Sequence, residues 1–499
     1  MRVLSSISPS NKTAVIIAVV LLAAFHASHA GGQYEEKGVK NVILMIGDGM
    51  SFNTVRATNY YAGSKAVYEN FERKFGMQTT SAGDRKGYTG RAYDPQAMAT
   101  DFNYAMKGAT DSSSAASAMF SGVKIYDNEV NYTPGNIALT TFFEKAARHG
   151  KSIGAVSSVH FTHATPAAVY GHNRSRSQFG PMAREAIHGS NPSEANNYYD
   201  AGNYNNFLKV VMGPGHPMYD SNAKPREKPS YRLIGEEKLW NDLVAGVNGW
   251  TLISAREEFE KLTSGPTPDK VFGIPQVGDT LQYSRDGLGP RNSKGLPFAV
   301  ELNTGVPDLA TMTMAALNVL DNNRDGFAIM IEGGAIDWAN HANLADRMIE
   351  EQIDFNKAVK AVTAYLDANT NGNNWDNTLL IVTSDHETGY LWGDGRIEGS
   401  TFFDVNGNGT FDHGVDYAHV KDNGRGNLPN VWFHSGYHSN SLVPLYARGA
   451  GSGLFEKCVI GREPNLRVLY NLDGTWSGDF VDNTCVYHVM SNATGLNMK

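Results

Sequence analysis

Short apolar runs closed by small residues recur along this chain, and longer amphipathic stretches lie between them. Runs of about 4–6 apolar residues ending in Gly or Ser predict buried parallel strands. They place strands at 42–46, 153–157, 209–212, 327–331 and 379–383. Helical patterns cover 136–149, 308–320 and 343–368. In the last of these, Glu350, Glu351, Lys357 and Lys360 fall on a polar side, opposite Ile349, Ile353, Ala358 and Val362. Such alternation predicts an α/β fold with a central, mostly parallel sheet flanked by helices on both faces. Gly, Asn and Asp interrupt the pattern over residues 394–435, which are expected to form a rim insertion. No repeat and no linker divides the remainder, so residues 31–499 are expected to form one domain.

The first 30 residues stand apart. Arg2 and Lys12 precede the apolar run Ala14–Phe25, and Ser28-His-Ala30 offers small residues for cleavage. This is the pattern of a secretory signal peptide cut after Ala30. An uncleaved anchor is the competing reading, but the run is short against the ~20 residues of a span. The expected location is periplasmic or secreted. The chain carries 43 Lys+Arg against 51 Asp+Glu, a net −8, and removing Arg2 and Lys12 makes it −10. A basic face for nucleic acid is therefore not expected. The two cysteines, Cys458 and Cys485, read as a disulfide in an exported chain, with two free buried thiols as the alternative.

Chemistry gathers where strands end. Asp48 follows the first predicted strand. Glu332, Asp337 and His341 follow the fourth, and Asp385 and His386 the fifth. Open α/β sheets hold ligands outside the carboxyl ends of their strands, so these six side chains suggest one convergent site. Oxygen and imidazole donors without thiolate suit catalytic zinc, or zinc with magnesium. Asp337 and His341 are one helical turn apart and share a face if helical. Separately, Ala109-Thr-Asp-Ser112 opens a small-residue helix, with Ser112 in a first turn whose free N–H groups suit an anion. Capping by Thr110, Asp111 or Ser112 is the simpler reading of that segment alone. A serine nucleophile, however, needs the activation that nearby metals provide.

Six segments in order, Ile46-Gly-Asp48-Gly-Met, Thr110-Asp-Ser112, His163-Ala-Thr165-Pro-Ala, Glu332-Gly-Gly-Ala-Ile-Asp337-Trp-Ala-Asn-His341, Thr383-Ser-Asp385-His386-Glu-Thr-Gly and His438-Ser-Asn-Ser-Leu-Val-Pro, resemble the alkaline phosphatase family over about residues 41 to 450. The resemblance implies phosphate monoester hydrolysis at alkaline pH through a phosphoserine on Ser112. It implies one Zn²⁺ on Asp337, His341 and His438 and a second on Asp48, Asp385 and His386. A Mg²⁺ would take Asp48, Thr165 and Glu332. Arg176 would clamp the phosphate, with Arg174 its competitor by spacing, and an arginine fork suits two phosphate oxygens. His434 competes with His438, and the distance to Val443-Pro444 favours His438. His163 and Trp338 occupy two positions that vary in the family. They leave the metal of the third site open between magnesium and another zinc. A homodimer is expected by the same resemblance.

Other readings keep the fold and change the chemistry. A sulfatase should show Cys or Ser two residues before Pro and four before Arg, and Ser112-Ser-Ser-Ala-Ala lacks this. Related phosphodiesterases commonly use threonine and lack the Thr165/Glu332 pair. An exported calcium-dependent binding protein should lack ligands that are present here. Asp404, Asn406, Asn408 and Asp412 resemble the opening of a calcium loop, but Val415 stands at its twelfth position, and a polar turn accounts for the segment equally well. Asp321–Gly326 shows similar spacing and reads as a turn into the fourth strand.

Overall fold

Eleven strands form one sheet in the computed structural model, which describes residues 39–189 and 206–496. The expected signal peptide lies outside the described residues. In chain order the strands are β1 (Asn41–Gly47), β2 (Arg73–Gln78), β3 (Ser152–Ser157), β4 (Leu208–Met212), β5 (Thr251–Ile253), β6 (Val271–Gly273), β7 (Phe327–Gly333), β8 (Thr378–Thr383), β9 (Val443–Gly449), β10 (Val459–Arg462) and β11 (Asp479–Asp482). Their order across the sheet is β10-β11-β2-β9-β8-β1-β7-β3-β4-β6-β5. From β8 through β5 every pairing is parallel. β9 runs antiparallel to both of its neighbours, and β10 runs antiparallel to β11. All five expected strands are present, as β1, β3, β4, β7 and β8, and β1, β3, β7 and β8 are buried at every residue.

Helices cover both faces. The ones that matter here are α1 (Phe52–Ala62), α2 (Ser112–Ser121), α3 (Ala164–Ala167), α4 (Leu309–Leu320), α5 (Ala335–His341), α6 (Ala345–Asp367) and α7 (Thr484–Ala493). Alternate residues of a strand point to opposite faces. Ile43 and Met45 of β1 accordingly join a core with Met312 of α4 and Ile349 and Phe355 of α6. Val42, Leu44 and Ile46 join a second core with Met119 and Phe120 of α2 and Val486 and Met490 of α7.

Two expectations need correction. The helix expected over 136–149 begins only at Phe142, because Thr141 and Glu144 form a reciprocal capping box and Asn136 sits at φ 64°. The polar side expected for 343–368 is only partly polar. Glu350 and Glu351 are buried, while Lys357 and Lys360 are exposed and Ile353 is half-buried. Burial of Glu350 is tolerated because Arg285 Nη2 reaches its Oε2 at 2.6 Å and the Phe298 N–H donates to its Oε1 at 2.6 Å.

Cys458 and Cys485 form a disulfide that ties the turn Ser452–Cys458 to α7. Residues 394–435 hold a short ladder of Phe402–Phe403 with Tyr417–Ala418, and their Trp432–Phe433 pairs with Leu391–Trp392 just before the segment. Asp321–Gly326 is a turn closed by the Gly326 N–H on Asn323 O at 3.1 Å. Among the described residues, no helix is long and apolar enough to cross a membrane.

Candidate active site

The register of three central strands aligns the first ligands. Ile46 of β1 lies opposite Glu332 of β7 and Thr383 of β8. Asp48 and Asp385 each sit two residues beyond that level, so three carboxylates emerge together. The turn after β1 requires glycine at position 49, where φ is +72° and a Cβ would stand 2.9 Å from Asp337 Cα. The Gly49 N–H donates to Asp385 Oδ1 at 3.1 Å and the Met50 N–H to Ser384 Oγ at 2.9 Å, tying the two strand ends. α5 starts directly after β7, and its one-turn spacing brings His341 Nε2 within 3.4 Å of Asp337 Oδ2. His438 arrives on a short ladder with Glu387–Thr388. Its Nε2 lies 3.0 Å from His341 Nε2 and 3.5 Å from Asp337 Oδ1.

Among the described residues, three groups of ligand atoms lie within 4.8 Å of one another: Asp337, His386 and His438; Asp48, Asp385 and His386; Asp48, His163 and Glu332. The second is the expected set. The first holds His386 where His341 was expected, with His341 immediately beside it. The third places His163 with the two carboxylates expected for magnesium. Thr165 is buried in α3.

These residues fit divalent cations. Both Asp48 oxygens, Asp385 Oδ2, Glu332 Oε1 and Thr165 Oγ1 are buried without a hydrogen-bond partner. Burial, then repulsion from Asp385, Asp337 and Glu332, pushes Asp48 well above the usual carboxylate range. Burial foremost pushes Glu332 up to about 8 and Asp385 up to about 6. Unpaired buried carboxylates are costly, and a bound cation removes that cost. The imidazoles are set as ligands. His341 Nδ1 lies 2.8 Å from Gly436 O and His438 Nδ1 2.8 Å from Thr110 O. The Thr388 hydroxyl donates to Asp337 Oδ1 at 2.6 Å and so accepts from His386 Nδ1 at 3.1 Å. In each ring the Nδ1 partner assigns the proton there and leaves Nε2 to bind. Burial also lowers His386 and His163 well below the usual imidazole value, which keeps them neutral.

Ser112 is the first residue of α2, capped by Asp111, whose carboxylate accepts the Ser114 N–H. Its Oγ lies 3.1 Å from His386 Nε2. Arg176 Nη1 donates to Asp111 Oδ2 at 3.0 Å, and Nη2 lies 3.3 Å from His163 Nε2. Burial opposes ionisation of Asp111, but Arg176 and the Ser114 hydrogen bonds overcome it and hold the carboxyl below its usual range. Arg174 instead lies over the Tyr132 ring at 5.6 Å. His434 packs 4.9 Å from the Phe102 ring, away from the ligand groups. Trp338 stands 5.7 Å from the His163 ring and 6.1 Å from Tyr283.

Asp111, Thr388, Ser157 and Asn340 support the site without having been singled out from sequence. Ser157 Oγ donates to Glu332, and Asn340 Nδ2 donates to Gly49 O at 3.0 Å. Thr388, Asn340 and Asp111 stand inside the segments that carry the resemblance, whereas Ser157 carried no signal. The candidate calcium residues are hydrogen-bonded to backbone of the same loop and to one another. Asp404 accepts the Gly407 and Gly409 N–H groups at 2.7 Å each, and Asp412 Oδ2 accepts the Asn406 and Asn408 amides at 2.8 and 2.7 Å.

With Arg176 as the phosphate clamp that the resemblance implies, Arg176→Ala should lower kcat/KM on monoesters by on the order of 100-fold, the usual effect of removing one donor to a developing anion. Inorganic phosphate should inhibit that variant more weakly. Steady-state kinetics with a phosphate inhibition series would check both, and undiminished phosphate inhibition would contradict the clamp.

Residues 39–427 match the sequence model of the alkaline phosphatase family. Alkaline phosphatase 3 of Bacillus subtilis is 28% identical over 75% of this chain and 67% of its own length. The human tissue-nonspecific isozyme is 25% identical over 90% of this chain and 83% of its own. Among solved structures, the alkaline phosphatase of the Antarctic bacterium TAB5 is similar at TM-score 0.55 and 22% identity, covering 92% of this chain and 98% of that one. The Thermus thermophilus alkaline phosphatase is similar at TM-score 0.58 and 21% identity, covering 94% and 95%. The structural likenesses speak to the fold, and the match over 39–427 to ancestry: the chain belongs to the alkaline phosphatase family.

Proposed function

We propose that this protein hydrolyses phosphate monoesters to an alcohol and inorganic phosphate through a phosphoserine on Ser112. The observation that carries the reading is the convergence of four carboxylates and four imidazoles on one buried cluster, with the Ser112 hydroxyl 3.1 Å from His386. Two Zn²⁺ held by Asp337, His341 and His438 and by Asp48, Asp385 and His386, with Mg²⁺ at Asp48, Thr165 and Glu332, would supply Lewis acidity and bring oxygen nucleophiles towards a pKa of ~7. A variant of the TAB5 enzyme has been solved with Mg bound in its M3 site. Ser112, fixed at the start of α2, attacks phosphorus and forms the P–O bond as the alcohol oxygen leaves. Arg176, held by Asp111, binds non-bridging oxygens with its fork. Water then attacks the phosphoserine, returns the Ser112 hydroxyl and releases phosphate.

Export through residues 1–30 and homodimer formation belong to the same proposal, supported by the signal-like N-terminus and the family resemblance. The test is hydrolysis of p-nitrophenyl phosphate against bis(p-nitrophenyl) phosphate by protein loaded with zinc and magnesium. Monoester turnover that rises from near-neutral to alkaline pH and exceeds diester turnover is expected. A preference for the diester, or inactivity on the monoester, would sink the reading.

A further inference from the structure

A cavity of 210 Å³ opens between α4, α6 and the loop 298–306, built by residues the proposed chemistry does not use. Glu351 is only 4% exposed, and its Oε1 is buried without a hydrogen-bond partner. Asp354 and Asp308 line the same space. Asp308 caps α4 through the Thr311 N–H, and Asp354 Oδ2 accepts the Leu309 N–H at 3.2 Å. Asn303 uses its amide on Ser221 O and Leu281 O at 3.0 and 3.1 Å, which leaves its Oδ1 as an acceptor.

The surrounding cations are largely engaged. Arg256 is bound to Glu260 and Thr304 O at 2.7 and 2.8 Å. Arg285 and Arg347 lie behind the cavity, 2.6 and 3.5 Å from Glu350. Lys357 is exposed at the edge. Burial, with Asp354 and Glu350 adding to it, pushes Glu351 up to about 8, and burial with Asp308 pushes Asp354 to about 7. Glu332 shows the same signature in the candidate metal cluster.

Two features separate this cavity from that cluster. Its carboxylates are absent from the groups whose ligand atoms lie within 4.8 Å of one another, so they do not focus on one point. Its walls also include Leu281, Leu302, Val306 and Phe298. Phe298 and Leu302 are 41% and 37% exposed, and Phe298 is held at φ 63°. A bulky residue at positive φ is uncommon and costs strain. Spread carboxyl groups, which a cation would draw into the ionised form, beside a hydrocarbon wall and an accessible phenyl ring suit an ammonium on an aliphatic stem, through charge, apolar contact and cation–π attraction.

We propose that this cavity binds small organic ammonium ions of the alkyl diamine class, with the Glu351 carboxyl, ionised once the ammonium is seated, as the principal partner. Glu351→Gln preserves shape and replaces a carboxyl that burial disfavours as an anion, so it should fold with an unchanged or higher Tm. The experiment is calorimetric titration of the full-length, zinc- and magnesium-loaded protein with 1,4-diaminobutane, repeated for Glu351→Gln and Asp354→Asn. Saturable binding of one equivalent is expected, weakened at least about tenfold in Glu351→Gln (about 1.4 kcal/mol), with p-nitrophenyl phosphate hydrolysis unchanged. Absence of saturable binding to the unsubstituted protein would overturn the proposal. So would equal affinity in both variants, or full displacement of the diamine by equimolar Ca²⁺. Should Glu351→Gln fail to fold, Asp354→Asn carries the same reading.

Discussion

Ser112→Ala should lose p-nitrophenyl phosphate hydrolysis by on the order of 10³- to 10⁶-fold while keeping the same bound metals and the same Tm. Removal of the nucleophile from a serine hydrolase defines the upper end of that range. The lower end applies here because Arg176 and the ligand cluster remain, and water can take the vacated place of the hydroxyl. In barrier terms the loss is about 4–8 kcal/mol. The substitution itself is mild. Ser112 is buried with its hydroxyl beside His386 Nε2, so alanine removes an oxygen without orphaning a backbone group. Asp111 continues to cap α2. The sharper check is trapping: acid quenching during turnover of ³²P-labelled ester should label the unsubstituted protein and leave the variant unlabelled. Labelling of the variant, or a loss below tenfold, would place the nucleophile elsewhere.

Removing the metals should abolish activity and also destabilise the fold, by an amount that grows with pH. Asp48, Glu332, Asp337 and Asp385 share one buried cluster, and Arg176 is a permanently charged side chain that acts on it. Without cations, the raised folded values of Glu332, about 8, and Asp385, about 6, mean that the folded state holds protons the unfolded state has released. That contribution is fully present below the unfolded values near ~4 and is lost as pH rises through about 6 and then about 8. With cations bound the carboxylates stay ionised in both regimes, and the slope disappears. The Tm gap between metal-restored and chelated protein should therefore widen from pH ~6 to pH ~9, reaching at least about 5 °C. Scanning calorimetry at three pH values would measure it. A gap that is constant or narrows with rising pH would contradict the cluster's electrostatics.

The centre of the sheet was readable because β1, β7 and β8 are buried on both faces and so appear as unbroken apolar runs. Its flank was not. β9 contains Pro444 and Arg448, and β2 begins Arg73-Lys74. Both lie outside the wholly buried parallel block and lose the apolar signature. Helix boundaries failed where a side chain decides them, as Thr141 and Glu144 do at Phe142. The inward turn of Glu350 was invisible because its partner Arg285 stands 65 residues away. At the site, ligand side chains could be recognised as metal-binding types directly after strands. Asp111 could not, because a capping aspartate and one that also restrains an arginine look alike in sequence. His386 was placed with Asp48 and Asp385, but its proximity to Asp337 and His438 follows from the ladder between His438–Ser439 and Glu387–Thr388, which two-residue strands do not announce.

The register that levels Asp48 with Glu332 and Asp385 also sets a clock for maturation. Asp48 and His438 stand 390 positions apart in the chain. At about 5–20 residues per second, roughly 20–80 s separate their emergence from the ribosome. A chain that stops before residue 438 lacks the group of Asp337, His386 and His438, so the full set of ligand groups exists only near the end of synthesis. Full metal loading, on the proposed function, would follow completion of the polypeptide and would report that β1, β7 and β8 have found their partners. Metal content would serve as a readout of folding yield in any preparation, and zinc supplied during refolding should favour the correctly registered sheet over its slipped competitors.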